Sequence, residues 1–210
     1  MRSADAATLF RTLLVVILVY AVVAKFNPIG LSVLLAVIII LDAVDGFLAV
    51  NQISNGKIGF ITYLKSSAGN VSAKEKVKKF KSIISKHFSY GPRMDIAGDR
   101  VVEYFLWIVF TYVHIVPLFV LLIIIIRHSF VDALMAAKGT SSKMKSKFAK
   151  AVYSSNIGRG GINVVKFLTF AYLSFAYVWG YPIIFGYILI AILVTYVLLR
   201  GMAEAYESLI

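Results

Sequence analysis

Long apolar runs alternate along the chain with short polar, basic segments. The first run covers about residues 9–24 and is broken only by Arg11 and Thr12. Lys25-Phe26-Asn27-Pro28 then reads as a tight turn, with Pro28 placed to open the next helix. The second run, about residues 29–50, is apolar except for Ser32, Asp42 and Asp45. Gly91-Pro92 reopens a helical pattern that continues to about Thr111, and a fourth run follows at about 115–137, with Pro117 near its start. The last two runs, about 162–178 and 181–199, are divided by Trp179-Gly180-Tyr181-Pro182, whose rings suit a membrane interface. Runs of this length with so few charges predict about six bilayer-crossing helices. The expected fold is therefore all-α and polytopic, one membrane-embedded domain over residues 1–210.

Residues 51–90 break the pattern. They carry Lys57, Lys65, Lys74, Lys76, Lys78, Lys79, Lys81 and Lys86 against a single acid, Glu75. Within them, residues 72–88 set Val77, Phe80, Ile83, Ile84 and Phe88 at helical spacing. That predicts a basic amphipathic helix on the membrane surface, part of an aqueous insert. A second basic loop spans 138–159.

Composition sharpens this reading. Hydrophobic residues make up 60% of the 210, more than a soluble core of this size needs. There is no cysteine, so any metal must be held by oxygen or by the three histidines, which show no ligand spacing. No small-x-small cleavage site follows the first run, so it is read as a retained span and not as a signal peptide. The net charge of +12 would suggest nucleic acid in a soluble protein. Placement decides otherwise. With the N-terminus inside, every one of the 22 Lys and Arg residues except Lys25 falls on the inner side or in the inner half of a span. The positive-inside rule then puts both termini in the cytoplasm, and the lysines read as contacts to anionic headgroups. No nucleic-acid partner is expected.

The chemistry lies in carboxylates that hydrocarbon does not tolerate, each costing about 2.5–3.5 kcal/mol to insert. Asp42 and Asp45 sit where the second run reaches the inner face. Asp95, Asp99 and Glu103 sit where the third leaves it. Spacings of three and four put each pair on one helix face, so four carboxylates converge if the two helices pack together. Such crowding demands compensation, and all-oxygen ligation favours Mg²⁺ or Mn²⁺. Gly46, Gly91 and Gly98 clear bulk where a phosphate or a facing helix must approach.

Asp42-x-x-Asp45-Gly46-x-x-Ala49, followed by Gly91-x-x-x-Asp95-x-x-x-Asp99, resembles the signature of the CDP-alcohol phosphotransferases: D-x-x-D-G-x-x-A-R, a linker, then G-x-x-x-D-x-x-x-D. Seven of the eight fixed positions are present in order. The resemblance implies a homodimeric enzyme of phospholipid synthesis that moves a phosphatidyl-type group from a CDP-linked lipid to an acceptor alcohol and releases CMP. Asp42, Asp45, Asp95 and Asp99 would hold two metal ions, Asp99 would also take the acceptor's proton, and Gly46, Ala49 and Gly91 would line the substrate. Two departures stand out. Val50 occupies the place of the signature arginine, and the linker runs 40 residues (51–90) where about a dozen are usual. An insert lysine, Arg93 or Arg100 would have to supply the missing charge.

Other residues extend the reading. Arg127, Arg159 within Gly158-Arg159-Gly160-Gly161, and Lys166 are candidates for binding a phosphorylated acceptor such as a polyol phosphate. Glu103 either supports the aspartates or pairs with Arg100. Two alternatives compete: an ion-coupled transporter using the same carboxylates, and a catalytically silent relative of the transferases.

Overall fold

In the computed structural model, which describes residues 3–67, 70–87, 91–138 and 156–209, every apolar run is helical, and no strand occurs among the described residues. The helices are α1 (Ser3–Val23), α2 (Pro28–Ile53), α3 (Phe60–Ser67), α4 (Val71–His87), α5 (Gly91–Tyr112), α6 (Leu118–Lys138), α7 (Asn156–Trp179) and α8 (Ile183–Leu209). The second basic loop lies largely outside the described residues, as do the side chains of Asp95 and Arg159. Among the described residues, four helices are long and apolar enough to cross a bilayer: α1, α2, α7 and α8. The first half of α5 carries Arg93, Asp95, Asp99, Arg100 and Glu103, which keeps it from qualifying on apolarity.

The helices bury apolar stripes holding a few polar side chains, and they also turn apolar side chains outward, as a water-soluble bundle does not. On α1 the buried positions are Ala4, Thr8, Arg11, Val15, Leu18 and Val22, a stripe with steps of three and four. The opposite side exposes Leu9, Phe10, Leu13, Val16, Ile17 and Tyr20. On α2, Leu31, Leu35 and Ile38 are buried, and the same stripe runs on into Asp42 and Asp45. Val33, Val37 and Ile40 face outward. Apolar exposure on this scale is stable in lipid, not in water.

The turn between α1 and α2 forms as its residues suggest. Lys25 takes φ 53°, and the Phe26 and Lys25 amides close the end of α1 on the Ala21 and Val22 carbonyls. Asn27 Oδ1 then accepts the Ile29 N–H at 2.9 Å, capping α2 with Pro28 in its first turn.

The chain divides into two compact units, residues 1–20 with 33–105, and residues 21–32 with 106–210. In the first, the insert differs from its expected form. It folds as two helices, α3 packed on α4, and α4, the amphipathic helix that the spacing predicts, turns Val77 and Phe80 to protein. Val77 is buried with Val50, Ile58 and Tyr63, and Phe47, Ala49, Ile53 and Phe80 pack around them. Phe47 meets the rings of Phe60 and Tyr63 at 5.2 and 5.9 Å. Asn70 caps α4 by accepting the Ala73 N–H. Lys74, Lys76, Lys78 and Lys79 stay exposed on the other side.

In the second unit, α8 packs on both α6 and α7. Trp107 and Phe110 hold the ring of Phe170, with centroids 5.0 and 5.9 Å away. A buried ion pair joins α6 to α8: Arg127 Nη2 donates to Glu204 Oε2 at 2.8 Å, and Arg200 Nε reaches Glu204 Oε1 at 3.2 Å. Position 201 must be glycine for this, because a Cβ there would lie 2.6 Å from Arg127 Nε.

Candidate active site

The first unit gathers its polar groups where α1, α2 and α5 meet. Asp42 and Asp45 come from the inner stripe of α2 and Asp99 from α5, 54 positions beyond Asp45 in sequence. The group that joins them is Arg11 of α1. Its guanidinium is 2% exposed; Nη1 donates to Asp42 Oδ1, and Nη2 to Asp99 Oδ1 at 2.7 Å. One turn earlier, the Thr8 hydroxyl lies 3.1 Å from Asp45 Oδ2 and 3.2 Å from the Ala4 carbonyl. Its single proton is better placed on the charged acceptor. Two residues that interrupt α1's hydrophobic character thus address three carboxylates on two other helices.

Gly98 makes this approach possible. A Cβ there would collide with Thr8 Cγ2 and press to 3.2 Å from Arg11 Nη2. Of the two uses the sequence allowed for its bare surface, the facing helix takes it. Gly46 is comparable: a Cβ there would run into the hydroxyl of Tyr63, which α3 brings against it. The space beside Gly46 that was expected to admit substrate is therefore lined by the insert, with Ala49 packed into the cluster around Val50.

Exposure separates the aspartates into two kinds. Asp45 is buried at 4%, whereas the Asp42 and Asp99 side chains are 32% and 46% exposed. Asp45 is the fixed member, and Asp42 and Asp99 are within reach of an incoming molecule. Glu103 is buried at 3%, with Oε2 3.6 Å from Arg100 Nη1, so of the two readings offered for it the pairing with Arg100 is the one seen. Asp95 sits one turn before Asp99 on α5, but its side chain is outside the described residues.

The donor set suits a hard divalent cation in kind, since every ligand would be a carboxylate oxygen. In arrangement it does not. Among the described residues no three His, Asp or Glu side chains group closely enough to hold an ion, and Arg11 stands between two of the carboxylates.

The two departures from the signature that the sequence resembles meet in one cluster. Val50 is fully buried and centres the cluster on which α3 and α4 dock, so the residue that replaces the arginine is the anchor of the long insert. Val50→Arg should therefore not improve the site. It would bury an unpaired cation at a cost of about 3 kcal/mol or more, and limited proteolysis should then cut within 51–90 far faster than in Val50→Ile. The remaining candidates lie elsewhere. Arg127 is 8% exposed and engaged with Glu204. Lys166 is partly exposed on α7; Gly91 opens α5; Arg159 falls in the first turn of α7 with its side chain outside the described residues.

Sequence reasoning missed Arg11 and Thr8, and a signal was available. A lone arginine in an apolar span needs a counterion, and the unpaired carboxylates of the next span were the obvious source. No protein-family model matches the chain, and no curated protein or solved structure does either, so the functional reading rests on these residues.

Proposed function

We propose that the protein is a membrane transferase of the CDP-alcohol phosphotransferase kind, moving a phosphatidyl-type group from a CDP-linked lipid to an acceptor alcohol. The single observation that carries this reading is the meeting of Asp42 and Asp99, from the two halves of the signature, on one buried arginine. Two distant segments whose acidic residues share a counterion form one polar site.

The half-exposed Asp99 suits a general base. It takes the proton of the acceptor hydroxyl; the oxygen attacks the phosphorus that bears the lipid alcohol; the bond to the CMP oxygen breaks and CMP leaves. Asp45, held by Thr8, fixes the end of α2 while Asp42 and Asp99 face the reactants. Mg²⁺ or Mn²⁺ belongs to this proposal; Asp95, whose side chain lies outside the described residues, would be needed beside Asp42, Asp45 and Asp99 to hold it, and when bound it would neutralise the diphosphate.

The wider plan is part of the same reading. At 1.5 Å per residue, α5 and α6 are each about 30 Å long, enough to bring the spans to six with both termini cytoplasmic. The assembly would be a homodimer. A polyol phosphate is the proposed acceptor, on the strength of Arg159 in the first turn of α7 and Lys166 further along it; Arg127 is already engaged by Glu204. A transporter built on the same carboxylates is the weaker reading, because a relay group must move charge through the span, and here Arg11 pins two of its members.

The test is purification in detergent, incubation with CDP-linked lipid and a panel of alcohols, and identification of the lipid product by mass spectrometry. Glycerol phosphate or inositol phosphate should be converted. Efficient use of serine alone would remove the polyol phosphate while keeping the transferase. No CMP from any pairing would remove both.

A further inference from the structure

We infer that the insert is a bilayer anchor acting through α3: Ile61 and Leu64 on its outward side enter an anionic membrane surface, and the lysines around them bind the lipid phosphates. This holds whatever reaction the aspartates serve.

Three observations carry it. The first is which side of α3 is covered. Tyr63 is buried with Val50, whereas Ile61 is 70% exposed and Leu64 and Lys65 are exposed with it. At about 3.6 residues per turn, Ile61, Leu64 and Lys65 share the side turned away from Tyr63. The helix therefore has a second apolar strip, edged by the half-exposed ring of Phe60.

The second is depth. The last two turns of α2 carry α3: Phe47 meets the rings of Phe60 and Tyr63, and the Tyr63 hydroxyl comes against Gly46. The 26 residues of α2 extend about 39 Å, beyond the roughly 30 Å hydrocarbon core of a bilayer. Asp42 and Asp45 mark its C-terminal end as the one that emerges. The turns that hold α3 thus lie at the boundary between hydrocarbon and headgroups, and a side chain pointing away from α2 there meets lipid.

The third is charge. From residue 57 to 79 the sequence has six lysines and one acid, Glu75. Lys57 precedes α3, Lys65 adjoins the strip, and Lys74, Lys76 and Lys78 are exposed on α4, which packs on α3. An apolar strip rimmed by lysines at that boundary is complementary to anionic lipid, whose acyl chains receive Ile61 and Leu64 and whose phosphates receive the ammonium groups. A protein partner would have to displace headgroups to reach the same strip, whereas the bilayer already borders it.

The chain has no cysteine, so Ile61→Cys carries a single spin label. The full-length protein is placed in nanodiscs of equal parts phosphatidylglycerol and phosphatidylcholine, or of phosphatidylcholine alone. Power saturation then compares access by oxygen, which concentrates in lipid, with access by a water-soluble nickel chelate. Glu75→Cys, two positions before the buried Val77 and so on roughly the opposite side of α4, gives the water-facing reference. In anionic nanodiscs the label at position 61 should favour oxygen over nickel at least about fivefold more than the label at position 75 does. That preference should fall at least about twofold in phosphatidylcholine alone, and again when Lys57→Glu and Lys65→Glu are added in anionic lipid. Leu64→Cys repeats the reading and serves as the test if Ile61→Cys does not fold. Labels at 61 and 64 as open to nickel as the one at 75 would place the strip in water and overturn the inference. Low access by both probes would show a second copy or another protein covering the strip, and would overturn it equally. So would an oxygen preference that is the same in anionic and neutral lipid, since the lysines would then take no part.

Discussion

Asp42→Asn is expected to reduce CMP release from a CDP-linked lipid by at least about 10³-fold, the scale on which removing one preorganised charge acts in transfer reactions. The substitution keeps the shape of the side chain and removes only its charge. Asp42 is partly exposed, so the amide finds water and the fold should tolerate it. Arg11 keeps Asp99 as a partner, which limits the structural damage further. A large loss of turnover with a nearly unchanged unfolding temperature is thus the signature of a chemical role. Initial rates of CMP release, with thermal unfolding measured on the same samples, distinguish the outcomes. Activity within tenfold of wild type would take Asp42 out of the reaction.

The largest effect on stability should come from Glu204→Ala. Glu204 is 3% exposed and accepts from Arg127 Nη2 and Arg200 Nε together. Removing it takes from the Arg127 guanidinium, 6% exposed, the carboxylate that it shares with Arg200. Breaking a buried pair from one side costs about 3–5 kcal/mol, well beyond the cost of a surface ion pair. Arg127 also presents Nη1 to His128 Nδ1 at 2.7 Å, so the imidazole adjoins the same charge. Differential scanning fluorimetry in detergent should show a marked fall in unfolding temperature. Replacing Arg127 and Glu204 together with Leu should recover much of it, because the double variant leaves no half of the pair behind.

Much of the fold could be read from periodicity alone, because membrane helices announce themselves in local sequence. The turn at Lys25-Phe26-Asn27-Pro28 closed as its residue types demand. Asp42, Asp45 and Asp99 could be grouped on paper because their spacings place them on helix faces near the inner ends of two runs. Long-range partners were the blind spot. Nothing local in Arg11 says that it will meet Asp99, 88 positions away, nor in Arg127 that Glu204 lies opposite. Both follow only once a lone charge in an apolar stretch is treated as half of a pair. The insert was hidden for a different reason. Val77 and Phe80 at helical spacing beside lysines fit a lipid surface and a protein partner equally well, and only the docking on Val50 and Tyr63 separates the two. Val50 looked like a loss from the signature because its role depends on residues 8 to 30 positions further along the chain.

The most direct measurement is CMP release from CDP-linked lipid by the purified wild-type protein, with an acceptor alcohol present, in chelator and again after addition of Mg²⁺ or Mn²⁺. No release in chelator, recovery on adding the metal, and no recovery in Asp45→Asn is the expected result. Turnover that persists in chelator, or that survives in Asp45→Asn, would contradict a metal-dependent transferase built on these aspartates.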